Sequence, residues 1–239
     1  MPPGFYGEAY FHGPGKDPAV DSGYRDYARP AVYLRQAALA FALALLLPFR
    51  SVLDVGCALG YLVHAMGLLG KRSQGVEISE YAVASCLDSV REKIREGTVL
   101  DLPFPDRAFD LAVAQEVLEH VAPQDLQDAL EELKRVSRKL IFLTVPLADW
   151  TEGLVPPERL PRDARGNPHH GHLTVADRPW WDERLAEGLA PWRRIDLTPW
   201  VSPRPDQGVF AFARETLPPP PRKGIRAALA RLMLARLFG

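Results

Sequence analysis

The residues best suited to chemistry are a turn, Gly56-Cys57-Ala58-Leu59-Gly60, and a carboxylate, Glu77, about twenty residues beyond its first glycine. Val52 to Val55, ahead of the turn, is a short apolar run that predicts a buried strand. Tyr61 to Leu69, behind it, has helical spacing. Glycine lets backbone lie close to a ligand. A carboxylate at the tip of the next strand can accept hydrogen bonds from ribose hydroxyls. The pattern therefore predicts a nucleoside-binding βαβ unit. It excludes two phosphate-binding devices. A G-x-G-x-x-G fingerprint would need glycine at positions 56, 58 and 61, where the chain has Gly56, Ala58 and Tyr61, and no G-x-x-x-x-G-K-[ST] run exists.

Histidine is the second source of chemistry, because imidazole titrates near neutrality and serves as a general base. His120 lies in the segment Glu116-Val117-Leu118-Glu119-His120-Val121. His169, His170 and His172 stand together shortly before Asp177, the expected N-cap of a helix over 178–187. H-H-x-H lacks the spacing of structural zinc sites and has no cysteine near it, so no metal is expected.

The elements that position these groups follow from periodicity. Pro30 opens a helix over 31–47 that Pro48 stops. Strands are expected over 51–55, 73–77, 96–100, 111–114, 140–145, 193–197 and 209–213. Further helices are expected over 60–69, 80–92, 124–137 and 178–187. Five βα repeats predict an α/β fold, a doubly wound, mostly parallel sheet of seven strands with the last antiparallel. One domain is expected over 1–215. It includes an aromatic arm or lid over 1–30 and a substrate-side insertion over 146–176. A Pro-rich linker and a basic helical tail follow over 216–239.

Net charge is −1, but the five basic residues beyond Glu215 leave 24 − 30 = −6 for positions 1–215. An acidic body is a poor nucleic-acid surface, so none is expected as partner. The basic tail is expected to dock on the body or on a partner. Two cysteines suggest no disulfide framework and favour a reducing cytoplasm. The start Met1-Pro2-Pro3-Gly4 lacks a signal-peptide pattern, and the longest apolar run, Ala37 to Leu47, is too short to span a bilayer.

Four segments in order extend the first feature: Asp54-Val55-Gly56-Cys57-Ala58-Leu59-Gly60, Gly75-Val76-Glu77-Ile78-Ser79, Leu100-Asp101-Leu102-Pro103-Phe104, and Phe109-Asp110-Leu111 leading into Gln115 to Val121. Together they resemble the class I S-adenosylmethionine (SAM) methyltransferases. Ala58 departs from the family's middle glycine. The resemblance implies a seven-stranded Rossmann-like fold, SAM as cofactor and S-adenosylhomocysteine as product. It implies that Asp54, Gly56, Cys57, Ala58 and Gly60 carry the methionine end and that Glu77 grips the ribose beside Ile78. Asp101 and Leu102 would contact adenine, Gln115 would lie under the sulfonium, and Tyr10 belongs to the covering arm. The acceptor is expected to be a small molecule methylated at oxygen, with His172 or His120 as base. An RNA or protein methyltransferase, a non-catalytic SAM-binding module and, more distantly, an NAD-dependent oxidoreductase are the alternatives.

Overall fold

The sheet has the order β3-β2-β1-β4-β5-β7-β6. The computed structural model describes residues 3–12, 26–163, 165–196 and 206–217, together with 224 and 228. The strands are β1 (Ser51–Val55), β2 (Arg72–Glu77), β3 (Ile94–Glu96), β4 (Phe109–Gln115), β5 (Ser137–Pro146), β6 (Arg193–Arg194) and β7 (Gln207–Ala213). β1 to β5 are parallel, and β7 inserts antiparallel between β5 and β6. The order reverses beside β1, which leaves a crevice at the carboxyl ends of β1 and β4.

Alternate side chains of each strand feed two cores. Val52, Leu111, Val113 and Phe142 pack beneath the helices α2 (Pro30–Leu46) and α3 (Tyr61–Leu68). Leu53, Ala112, Ile141, Phe210 and Phe212 pack beneath α5 (Leu126–Val136) and α6 (Arg178–Gly188). α5 buries Leu126, Ala129, Leu130, Leu133 and Val136, the single stripe of a helix that faces water on its other side. Asp177 caps α6 by accepting from the Trp180 N–H at 2.9 Å, as its type and place predict. α1 (Glu8–His12) belongs to the aromatic arm.

Three expected elements differ, the sixth strand only in length, since β6 covers 193–194 of the expected 193–197. The helix expected over 80–92 ends early, as α4 (Glu80–Ser85). Cys86 is extended and Leu87 donates its N–H to Leu59 O, so the chain turns back onto the glycine turn and resumes as a 3-10 segment over Asp88–Lys93. The third strand spans 94–96 rather than 96–100. It ends where the Gly97 N–H donates to Glu77 O, and residues 98–100 then cross the strand ends instead of extending the ladder. In the connection over 146–176, short 3-10 turns form at Pro157–Arg159 and His169–Gly171, and the second is tied to the body by the His120–Gly171 bond described below. The docking expected of the basic tail, and the Pro-rich linker ahead of it, fall almost entirely outside the described residues.

Candidate functional site

A trough runs across the carboxyl ends of β1, β2 and β4 as three joined lobes of about 280, 110 and 160 Å³. Gly56 lines all three. Its φ of +71° and the 2.5 Å that would separate an added Cβ from Val117 Cγ2 leave room for glycine alone. Around it the turn is closed by its own bonds: Gly56 and Cys57 donate to Val76 O, and Gly60 donates to Cys57 O. Ala58 takes a φ of +48°, where glycine would be unstrained.

Glu77 ends β2 in the middle lobe, 6% exposed. One carboxylate oxygen accepts from the Ala58 N–H at 2.7 Å and the other from the Ser79 N–H at 3.0 Å. Burial raises its pKa, and the backbone donors pull it down. Each oxygen keeps a second lone pair for a ligand hydroxyl. The first lobe is polar, with Arg35, Gln36, Asp54, Gln115, Thr144 and Gln207 on its walls. Burial, then the charge of Glu77, hold the Asp54 carboxyl well above its ordinary value. Gln115 donates to Gln36 Oε1 at 2.9 Å and lines both the first and middle lobes. The third lobe is apolar, with Ile78, Val99, Leu100, Val121 and Leu173 forming a slot suited to a flat ring.

The arm roofs this floor. Tyr6 and Tyr10 line the middle lobe, edge to face at 5.0 Å, and the Ser79 hydroxyl donates to Tyr6 O. Burial and the nearby Glu119 and Glu77 raise the Tyr6 phenol, so it stays neutral. Tyr6 also stands edge-on to His120, with ring centroids 5.6 Å apart.

His120 lines the middle and third lobes, while His172 lines a separate cavity of about 180 Å³ with Trp150, His169 and His170. Their rings lie 5.0 Å apart, so the pair forms the wall between trough and cavity. Burial pushes His120 down to about 4 and, with the neighbouring histidines, His172 down to about 3. Both are neutral imidazoles at pH 7. Glu119, fully buried, has a carboxyl raised well above its usual range by burial and by Glu116.

Asp54, Gly56, Cys57, Ala58, Glu77, Ile78, Gln115, Tyr10 and His120 thus line the trough. Gly60 sits beneath it as the N-cap of α3. Asp101 and Leu102 do not reach it. Asp101 is exposed, and Leu102 is buried with its N–H donated to Glu132 at 2.7 Å. Because β3 ends early, the third lobe is lined instead by Thr98, Val99 and Leu100. Sequence reasoning missed Arg35, whose signal was a lone cation in the apolar stretch over 31–47. It also missed Glu119, whereas Tyr6 belongs to the arm expected as a lid.

The donors fit SAM: a slot for the purine, a carboxylate for the ribose and one lining cation, Arg35, for the methionine carboxylate. Residues 53–141 match the family model of a methyltransferase domain. An uncharacterized methyltransferase of Schizosaccharomyces pombe is 32% identical over 126 residues, 47% of this chain and 45% of that protein. The ajmaline N-methyltransferase of Rauvolfia serpentina is 33% identical over 97 residues, 37% of this chain and 32% of its own. The match thus spans less than half the length of either relative. The fold is that of a Burkholderia thailandensis 1,6-didemethyltoxoflavin-N1-methyltransferase solved with S-adenosylhomocysteine. The TM-score is 0.59 and the identity 19%, over 86% of this chain and 84% of that one.

Proposed function

We propose that the chain is a class I, SAM-dependent methyltransferase that transfers the methyl group of SAM to an oxygen of a small molecule. The observation that carries this reading is the His120–His172 wall, with one ring on the trough and the other on the adjoining cavity. When bound, SAM supplies an activated methyl on a sulfonium for in-line displacement. The protein's part is to hold, align and exclude water.

Glu77 accepts from the ribose hydroxyls, and the turn from Gly56 to Ala58 supports the methionine end, with Gly60 fixing its closure. Arg35 pairs with the methionine carboxylate. Ile78 and residues 98–100 hold the purine. Gln115 and Asp54 present oxygen atoms to the cationic centre, and Tyr10 and Tyr6 keep water out. An acceptor seated beside Trp150 meets His172. Neutral imidazoles hydrogen-bond and orient a hydroxyl, but burial makes each a weak proton acceptor.

The acidic body favours a small acceptor over RNA. Free, buried Cys57 and Cys86 fit a reducing cytoplasm. Among the described residues, no helix is long and apolar enough to cross a membrane. Transfer to nitrogen is a second reading, favoured by the names of two similar proteins, the ajmaline N-methyltransferase and the 1,6-didemethyltoxoflavin-N1-methyltransferase. The purified protein incubated with trideuteromethyl-labelled SAM and metabolite extracts should yield a mass-shifted product with an O–CD3 group. An N–CD3 product overturns the oxygen reading. No labelled product, with SAM bound, leaves a non-catalytic SAM-binding module.

A further inference from the structure

Glu119 buries its carboxyl beside the His120–His172 wall. Its side chain is 1% exposed, and among the described residues neither carboxylate oxygen has a hydrogen-bond partner. Buried polar atoms are nearly always satisfied, and an unpartnered carboxyl costs free energy. Two imidazoles stand near it, together with the Glu116 carboxylate and the Tyr6 phenol. His120 Nε2 lies 4.0 Å from Glu119 Oε1, too far for a hydrogen bond, and one ligand atom from each of Glu119, His120 and His172 falls within 4.8 Å of the others. Ligands about 2.0–2.2 Å from a common ion stand roughly 3–4 Å apart, so a small inward movement closes the set.

We propose that Glu119, His120 and His172 bind one divalent transition-metal ion at the wall between the trough and the second cavity. The surroundings are built for it. His120 Nδ1–H donates to the Gly171 carbonyl at 3.1 Å, which fixes the tautomer and leaves the Nε2 lone pair on the Glu119 side. Gly171 makes that approach possible: with a φ of +77°, an added Cβ would stand 3.3 Å from His120 Nδ1 and 2.7 Å from Phe5 Cε1. The segments that carry the ligands are far apart in sequence but clamped together. Leu173 and Thr174 both donate backbone N–H groups to Glu119 O, at 2.7 and 2.9 Å, and the Thr174 hydroxyl donates to Val121 O at 2.7 Å.

One carboxylate and two imidazoles, with no thiolate, suit Zn²⁺, Co²⁺, Mn²⁺, Fe²⁺ or Ni²⁺ rather than the all-oxygen cages of Ca²⁺. Three protein ligands leave positions open to a further donor. An oxygen of the acceptor is the natural occupant, a step that rests on the methyltransferase reading, whereas binding of the ion does not. Judged by its own spacing, H-H-x-H predicts no metal. Only His172 of that run joins the set, and its partners come from a segment about fifty residues earlier.

The test uses the full chain, stripped with a chelator and titrated with ZnCl2 and CoCl2 by calorimetry and visible absorption. One ion per chain and d–d bands of bound Co²⁺ are expected. Glu119→Gln and His172→Ala should each weaken binding by more than the roughly 10–100-fold that loss of an outer-shell partner costs. His64→Ala, on α3 and bonded to Ser89 outside the proposed set, should leave it unchanged. Circular dichroism checks that each variant folds. If Glu119→Gln does not, His172→Ala decides alone. Failure to bind either ion below about millimolar, or binding that both variants retain, overturns the site. Calorimetry with S-adenosylhomocysteine on the same samples separates loss of the metal from loss of the cofactor.

Discussion

Glu77 serves two purposes that a pair of substitutions can separate. Its oxygens accept the Ala58 and Ser79 N–H groups, so it is a strut of the glycine turn, and its remaining lone pairs face the lobe assigned to the ribose. In Glu77→Ala both N–H groups lose their acceptor inside the protein, at about 1–3 kcal/mol each, so stability should fall by about 2–6 kcal/mol. Relief of the buried carboxyl, whose raised pKa marks its desolvation, places the net loss toward the lower figure. If both ribose hydroxyls also bond to Glu77, losing two bonds to a charged acceptor, about 1.5–3 kcal/mol each, weakens S-adenosylhomocysteine by about 10²–10⁴-fold. Glu77→Gln keeps one carbonyl oxygen and should lose about 10–100-fold. Calorimetry at low temperature, with urea unfolding of the same samples, gives both numbers. An Ala variant that is folded, destabilised and yet within threefold of wild-type affinity would leave Glu77 a strut only, and the ribose would have to be placed elsewhere.

Three further outcomes follow from the same structure. Arg35→Leu should weaken S-adenosylhomocysteine about tenfold, as loss of a partly exposed charge-assisted bond does, and leave 5′-methylthioadenosine, which lacks the amino-acid carboxylate, unaffected in competition titrations. Gly75→Ala would bring a Cβ to 2.5 Å from Cys57 Sγ and 2.9 Å from its Cβ, so urea melts should show a loss of about 1–3 kcal/mol from overpacking beneath the turn. Glu132 accepts from Arg135 and from the Leu102 N–H, which together hold its carboxyl below the ordinary glutamate value of 4.5. A lowered folded pKa contributes stability above the unfolded value that is lost as pH falls through the folded one. Glu132→Gln should therefore cost about 1–3 kcal/mol at pH 7, with the gap from wild type closing below pH 4.5. A gap constant from pH 7 to pH 3 would remove the charge from the explanation.

The first half of the trough was legible because its parts are close in sequence. Strand, glycine turn, helix and carboxylate fall between Val52 and Glu77, and local spacing alone brings Gly56 beside Glu77. Legibility declines with sequence distance. Asp101 is expected at the purine only if the third strand starts two residues later than it does, and nothing local announces that Gly97 ends the ladder. Arg35 looks like an interruption in an apolar helix until α2 is seen to lie along the first lobe. Glu119 is unreadable from sequence: a glutamate beside a histidine looks exposed, and its burial comes with tertiary contacts such as the Leu173 and Thr174 bonds to its carbonyl. His172 stands out by its type and place, but its relation to His120 is tertiary and has no sequence signal.

The stretch that bears His172 leaves β5 and returns, ahead of α6, at nearly one point. Ala148 donates to Ala176 O at 3.0 Å and Val155 to Val175 O at 2.8 Å, so residues 149–175 close on themselves like a stoppered flask. Closure entropy rises only slowly with loop length, so this piece can lengthen, shrink or be replaced by a graft without shifting β5 or α6. Trp150, His169, His170 and His172 line the cavity assigned to the acceptor, whereas the lobes assigned to the donor are built around β1, β2 and β4, with Leu173 the residue of this stretch that reaches them. Selectivity can therefore be exchanged as a cassette while methyl-donor affinity stays put, and divergence in this lineage should concentrate inside that closure.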